Sequence, residues 1–143
     1  MNPKSNDVNN NNNSQNGTLQ KNESAKSAKE IVREFLQAAE RKDWKAGRSY
    51  ISDNLSDVSP LNSFDGAEAY LKYAEYAAEH RNIPPLDIKK EFADGNDVCL
   101  LYEVTYGKPP VTTIFCRWFH VNDDGKISSL RALFDPRPLF QQK

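Results

Sequence analysis

Apolar positions recur at helical spacing from residue 31 onward. Ile31, Val32, Phe35, Leu36 and Ala39 form one stripe, and Ser27-Ala-Lys-Glu30 ahead of it has the pattern of a capping box. Asp43 has the chemistry of an N-cap and predicts a second, short helix over 44–51. Gly47 inside that helix weakens it and points to close packing. A short strand over 55–59 and a loop at Pro60 follow. Asp65-Gly-Ala-Glu68 then predicts a third helix, with Asp65 as cap and an apolar face of Ala67, Tyr70, Leu71, Ala74, Ala77 and Ala78. Arg81-Asn82 and Pro84-Pro85 end it.

Beyond Pro85 the period changes from 3.6 to 2. Leu86, Ile88 and Phe92 mark one strand, closed by the turn Asp94-Gly95-Asn96. Residues 98–106 and 111–121 predict two more strands, Asp123-Asp124-Gly125 a hairpin turn, and 127–135 a fourth strand that Pro136 and Pro138 stop. Helices first and then a run of antiparallel strands give an α+β layout. Alternation puts Phe115, Arg117, Phe119 and Val121 on one face of their strand and Cys116, Trp118 and His120 on the other.

Composition divides the chain and removes several function classes. Residues 1–24 hold the run Asn9 to Asn13, with Val8 and Leu19 as the only large apolar residues after Met1; they read as a disordered, Asn-rich tail. They lack the features of a secretory or transit segment, so a cytoplasmic location is expected. Residues 25–143 read as one domain. Nineteen Lys and Arg against twenty Asp and Glu leave a net charge of -1, which does not fit a nucleic-acid binder. No apolar run is long enough to span a membrane. Two cysteines make no disulfide framework, and two histidines without an acid cluster point to no metal site; no cofactor is expected.

The segments FLQAAERKDW (35–44), FDGAEAYLKY (64–73) and above all GKISSLRALFDPRP (125–138) resemble the nuclear transport factor 2-like superfamily, in its SnoaL-like and ketosteroid-isomerase-like branch. The resemblance spans 27–139. It implies a cone: three N-terminal helices held in a strongly curved, mixed or antiparallel sheet whose inner face lines an apolar pocket. The register it implies turns Leu100, Tyr102, Val104, Phe115, Arg117, Phe119, Leu130, Ala132 and Phe134 inward, with Phe35 and Tyr73 completing the candidate binding surface. It leaves Trp118, His120 and Leu133 on the back of the sheet, where this fold commonly dimerises, and so implies a homodimer.

The resemblance also says which groups are missing. Ketosteroid isomerases use a carboxylate base with a Tyr and a protonated Asp at the enolate oxygen. The Tyr position falls on Phe35, the base position near Ser59 and the protonated-Asp position on Arg117. The acidic residue of related cyclases and epoxide hydrolases falls on Ala132. Whether the protein is an enzyme is therefore left open.

Arg117, flanked by Phe115 and Phe119, needs a partner if it is buried. Glu103, Asp53, Asp57, water at the mouth, or an anionic ligand would serve. Tyr70 and Tyr73 share a helix face, and either can offer a hydroxyl to the mouth; His80 suits the C-terminus of its helix. The leading expectation is a pocket for a small hydrophobic, anionic or neutral molecule. A second is an isomerase, dehydratase or cyclase on a hydrophobic ketone or polyketide-like substrate, with Asp53, Asp57, Asp135 and His120 as candidate bases. A third is a protein-interaction module using the sheet face or the terminal FDPRPLF run.

Overall fold

A computed structural model describes residues 25–81 and 85–140. The tail expected over 1–24 and the Asn82–Pro84 part of the helix stop lie outside the described residues.

Helix α1 (Ala28–Glu40) starts as its sequence dictates: the Ser27 hydroxyl accepts from the Glu30 amide at 3.2 Å. Its stripe of Ala28, Ile31, Val32, Phe35 and Ala38 is buried. Helix α2 (Trp44–Arg48) is capped by Asp43, whose carboxylate accepts from the Ala46 amide at 3.1 Å. It ends three residues earlier than expected. The amides of Ser49 and Tyr50 tighten onto Ala46 and Gly47, and the Tyr50 carbonyl accepts from the Ile127 amide at 2.8 Å, drawing Ile51 into the sheet. A Cβ at Gly47 would meet only the edge of Phe35, at 4.0 Å, so close packing does not require glycine there.

Strand β1 (Ile51–Val58) is longer than the predicted 55–59 and turns back into β2 (Ser63–Asp65). Asp65 does not cap the next helix: it lies in the ladder opposite Ser56, and Gly66, at φ 96°, makes the turn instead. Helix α3 (Ala67–His80) buries Ala67, Tyr70 and Ala77. Strands β3 (Asp87–Asp94), β4 (Asp97–Tyr106), β5 (Val111–Val121) and β6 (Ile127–Leu133) follow, and α4 (Arg137–Phe140) is a single turn after the sheet.

The six strands form one mixed sheet in the order β2-β1-β6-β5-β4-β3. All neighbours are antiparallel except β1 and β6, which run parallel. Ser128 is an extra residue where β6 leaves the β5 register, and this bulge adds to the bend. The sheet wraps α1 and α3. Val32 and Phe35 meet Leu55, Val98, Leu100, Phe119, Ile127 and Leu130 in one buried cluster. Each large side chain buried there contributes about 1.5–3 kcal/mol. In the terminal run, Phe134 stacks on Phe115, and Phe140 is 71% exposed.

Candidate functional site

Strand pairing fixes which side chains share the concave face. Val98, Phe119, Leu130 and Asp57 lie in one row across β4, β5, β6 and β1. Leu100, Arg117 and Ala132 form the next row, and Tyr102 and Phe115 the one after. The first row packs solid: Val98, Phe119 and Leu130 are fully buried. Toward the other end Val104, Phe115, Ala132 and Phe134 keep partial exposure on the same face. Arg117 sits between the packed floor and this more open half, on the inner face that the family resemblance implies.

Its guanidinium lies 5.3 Å from the centre of the Phe119 ring, and Nη2 donates to the Tyr70 hydroxyl at 3.4 Å, a long bond. It also lies against Tyr102, whose ring stacks on Phe115 with centroids 5.4 Å apart. Burial opposes the charge on Arg117, but Tyr102, Tyr70 and Asp57 more than offset it and hold the guanidinium protonated. Burial likewise pushes the Tyr70 and Tyr102 hydroxyls above the usual phenol range, so both stay neutral donors.

Among the described residues Asp57 is the one carboxyl in this shell. It is 8% exposed, and among the described residues nothing donates a hydrogen bond to it. It makes no contact ion pair with Arg117. Burial raises its pKa above the ordinary carboxylate value, and the Arg117 and Arg131 charges only partly reverse this. A half-buried guanidinium and a buried carboxyl therefore lie on one concave face without a hydrogen bond between them.

This corrects the picture of a pocket without acids. The expected base position near Ser59 is not in the cone: Ser59 lies past the end of β1, where its hydroxyl accepts from the amides of Leu61 and Asn62. The inward carboxylate is two residues earlier. The other candidate bases are engaged elsewhere. Asp53 pairs with Arg48 on the surface, Asp135 with Arg137, and His120 with Asp97 on the convex side. Glu103, a candidate partner for Arg117, faces Lys89. Tyr70, not Tyr73, is the tyrosine that reaches Arg117. Tyr73 stacks on Phe64 at 4.7 Å, and its hydroxyl accepts from Asn62 and Arg81. Phe35 packs near Tyr70, ring centroids 6.4 Å apart, and forms part of the wall.

A consequence for stability follows from the raised Asp57. A carboxyl whose folded pKa exceeds its unfolded value makes the fold bind the extra proton. Its contribution is complete below the unfolded value and is lost as pH rises through the folded one. Asp57→Asn removes that loss. In denaturant melts from pH 4 to 8, the variant's stability relative to wild type is expected to improve as pH rises; an unchanged difference would contradict burial of the ionisable group.

On the convex face Trp118 is 49% and Leu133 62% exposed. Trp118 Nε1 donates to Asp97 at 2.8 Å, His120 Nδ1 lies 3.0 Å from the same carboxylate, and both hold Asp97 below the usual range. Cys99 and Cys116 are free thiols with sulfurs 3.1 Å apart on this face; burial and the neighbouring thiol push Cys99 up to about 11. Among the described residues no cluster of His, Cys, Asp and Glu could hold a metal, and no helix is long and apolar enough to cross a membrane.

Known proteins share this architecture. A nuclear transport factor 2-like protein of unknown function from Cytophaga hutchinsonii is 28% identical, with a TM-score of 0.69 over 82% of this chain and 98% of that one. An LEH-like epoxide hydrolase from M. tuberculosis is 22% identical, with a TM-score of 0.65 over 80% of this chain and 86% of that one. A de novo designed protein with a curved β-sheet is 21% identical, with a TM-score of 0.62 over 77% and 86%. The last two likenesses establish the fold alone, and a scaffold common to a hydrolase and a design does not name a reaction. No curated protein matches the chain. The SnoaL-like domain family matches residues 32–130, more than half the sequence, from the apolar stripe of α1 to the floor residue Leu130. The chain belongs to the SnoaL-like domain family.

Proposed function

We propose that the cone binds a small apolar molecule by an oxygen-bearing head group, with Arg117 and Tyr70 donating to that oxygen. The observation that carries this reading is the pair of incompletely satisfied groups on the concave face: a guanidinium with one long bond and a buried carboxyl with no donor among the described residues. Phe115, Phe134 and Val104 supply the apolar wall beside them. A single cation with a forked set of donors orients one head group, and the aromatics accept the rest of the molecule with little demand on its shape.

A thermal-denaturation panel of apolar carboxylic acids, ketones and alcohols tests it. A ligand at 100 times its dissociation constant stabilises by about 2.7 kcal/mol. At least one compound is expected to raise the melting temperature accordingly. A panel with no response contradicts the reading.

A second reading is favoured by Asp57 specifically. A carboxyl with a raised pKa, opposite donors suited to an oxyanion, is the arrangement used for moving a proton next to a carbonyl. In that case Asp57 exchanges the proton while Arg117 and Tyr70 hold the oxygen. Exchange of α-hydrogens for deuterium in a bound ketone, lost in Asp57→Asn, is the expected sign of it.

A further inference from the structure

We infer that the head group is a carboxylate and that it enters the cone together with one proton, which Asp57 takes up. This rests on the binding reading above and adds the ligand's class and its coupling to pH.

The groups facing Asp57 can be counted element by element. Strand β5 presents Arg117 and α3 presents Tyr70, which has Tyr102 of β4 as its own neighbour. The buried stripe of α1 (Ile31, Val32, Phe35) carries no ionisable group, and β2 presents Phe64. From β6 Arg131 is near enough to influence Asp57, but its guanidinium is occupied by the Ser56 and Leu130 carbonyls at 2.9 and 3.0 Å and by the Ser56 hydroxyl. Among the described residues one cation, Arg117, is thus available on this face, and with Asp57 ionised the two charges already cancel.

A bound carboxylate would add a second negative charge beside that one cation. In a partly desolvated site this is strongly unfavourable, and the cheapest relief is protonation of the carboxyl that is already hard to ionise. The protonated form also fits the hydrogen bonding. Neutral Asp57 offers an O–H, a donor that a ligand carboxylate can accept alongside those of Arg117 and Tyr70. A neutral ketone or amide leaves the charge balance unchanged and draws in no proton.

The test compares 4-phenylbutyrate with its neutral analogue 4-phenylbutanamide by isothermal calorimetry between pH 6 and 8, where the free acid is ionised throughout. With Asp57 ionised in the free protein and protonated in the complex, the carboxylate's association constant is expected to fall about tenfold per pH unit. The amide's is expected to stay level. Heats measured in two buffers of different ionisation enthalpy should show close to one proton taken up per carboxylate bound. Asp57→Asn should bind the carboxylate with no pH slope, its amide N–H replacing the O–H. If that variant fails to fold, the buffer comparison on the wild-type protein decides alone. Carboxylate binding that is level with pH, without proton uptake, overturns the inference and leaves the binding reading standing. Failure of both probes to bind overturns both.

Discussion

Replacing Arg117 with methionine is expected to remove most of the affinity for any ligand held by its head group. Truncating one partner of a buried, hydrogen-bonded charge interaction costs about 2–5 kcal/mol, or roughly thirtyfold to a few thousandfold in Kd. Methionine preserves much of the side chain's volume next to Leu100 and Ala132, so the loss should come from the missing donors and not from collapse of the wall. The variant also leaves Asp57 buried without its nearest available cation. At neutral pH it should therefore melt below wild type, with the deficit shrinking on acidification as Asp57 takes a proton. The double variant Arg117→Met, Asp57→Asn should recover the stability but not the ligand. Calorimetric titration alongside thermal melts separates the two effects. Unchanged affinity in a folded Arg117→Met protein would place the ligand elsewhere.

Phe119→Ala should produce the largest loss of stability. Phe119 is fully buried in the row formed with Val98, Leu130 and Asp57, where β4, β5, β6 and β1 meet under α1. Removing a buried Phe costs about 3–5 kcal/mol, because its neighbours collapse only partly into the cavity. That is a large part of the 5–15 kcal/mol that typically holds a domain together, and corresponds to about 10–20 °C in melting temperature. The ring is also the platform beneath the Arg117 guanidinium, so binding should weaken with it. Phe92→Ala on edge strand β3, where the side chain is 57% exposed, should change stability by no more than about 0.5 kcal/mol. Circular dichroism melts of the two variants make the comparison. Similar small effects for both would mean that the inward face of β5 is not the core.

The elements whose signals are local were legible in the sequence. Ser27 and Asp43 cap their helices because a short polar side chain reaches the free amides of its own first turn, which needs no distant residue. Alternation over 111–121 groups Phe115, Arg117 and Phe119 on one face, and the register implied by the family resemblance turns that face inward. What failed depended on distant partners. Ile51 suits a helix stripe as well as a strand, and only its pairing with Ile127, far along the chain, decides for β1. Asp65 has good cap chemistry, but the ladder opposite Ser56 claims it first. The parallel pairing of β1 with β6 has no local signature.

The same divide runs through the candidate site. Arg117 stood out because it interrupts an apolar face. Asp57 was named only as one of several candidate bases and partners of Arg117, since its neighbours Ser56 and Val58 give no clear alternation and its burial comes from lying beside Leu130. A usable signal was present: Leu55 is the apolar anchor of its strand, and a residue two positions on shares its face. Tyr70 was recognised as able to reach the mouth, but α3's rotation against the sheet decided between it and Tyr73. That rotation is set by packing and not by spacing along the helix.

A crystal structure of the protein with bound 4-phenylbutyrate is the most direct test of a ligand head group held on the concave face. The account predicts carboxylate oxygens at about 2.7–3.2 Å from the Arg117 guanidinium and the Tyr70 hydroxyl, Asp57 on the opposite side, and the phenyl group beside Phe115 and Ala132. A ligand seated outside the cone, or Arg117 and Asp57 closed onto each other with no room between them, would contradict it.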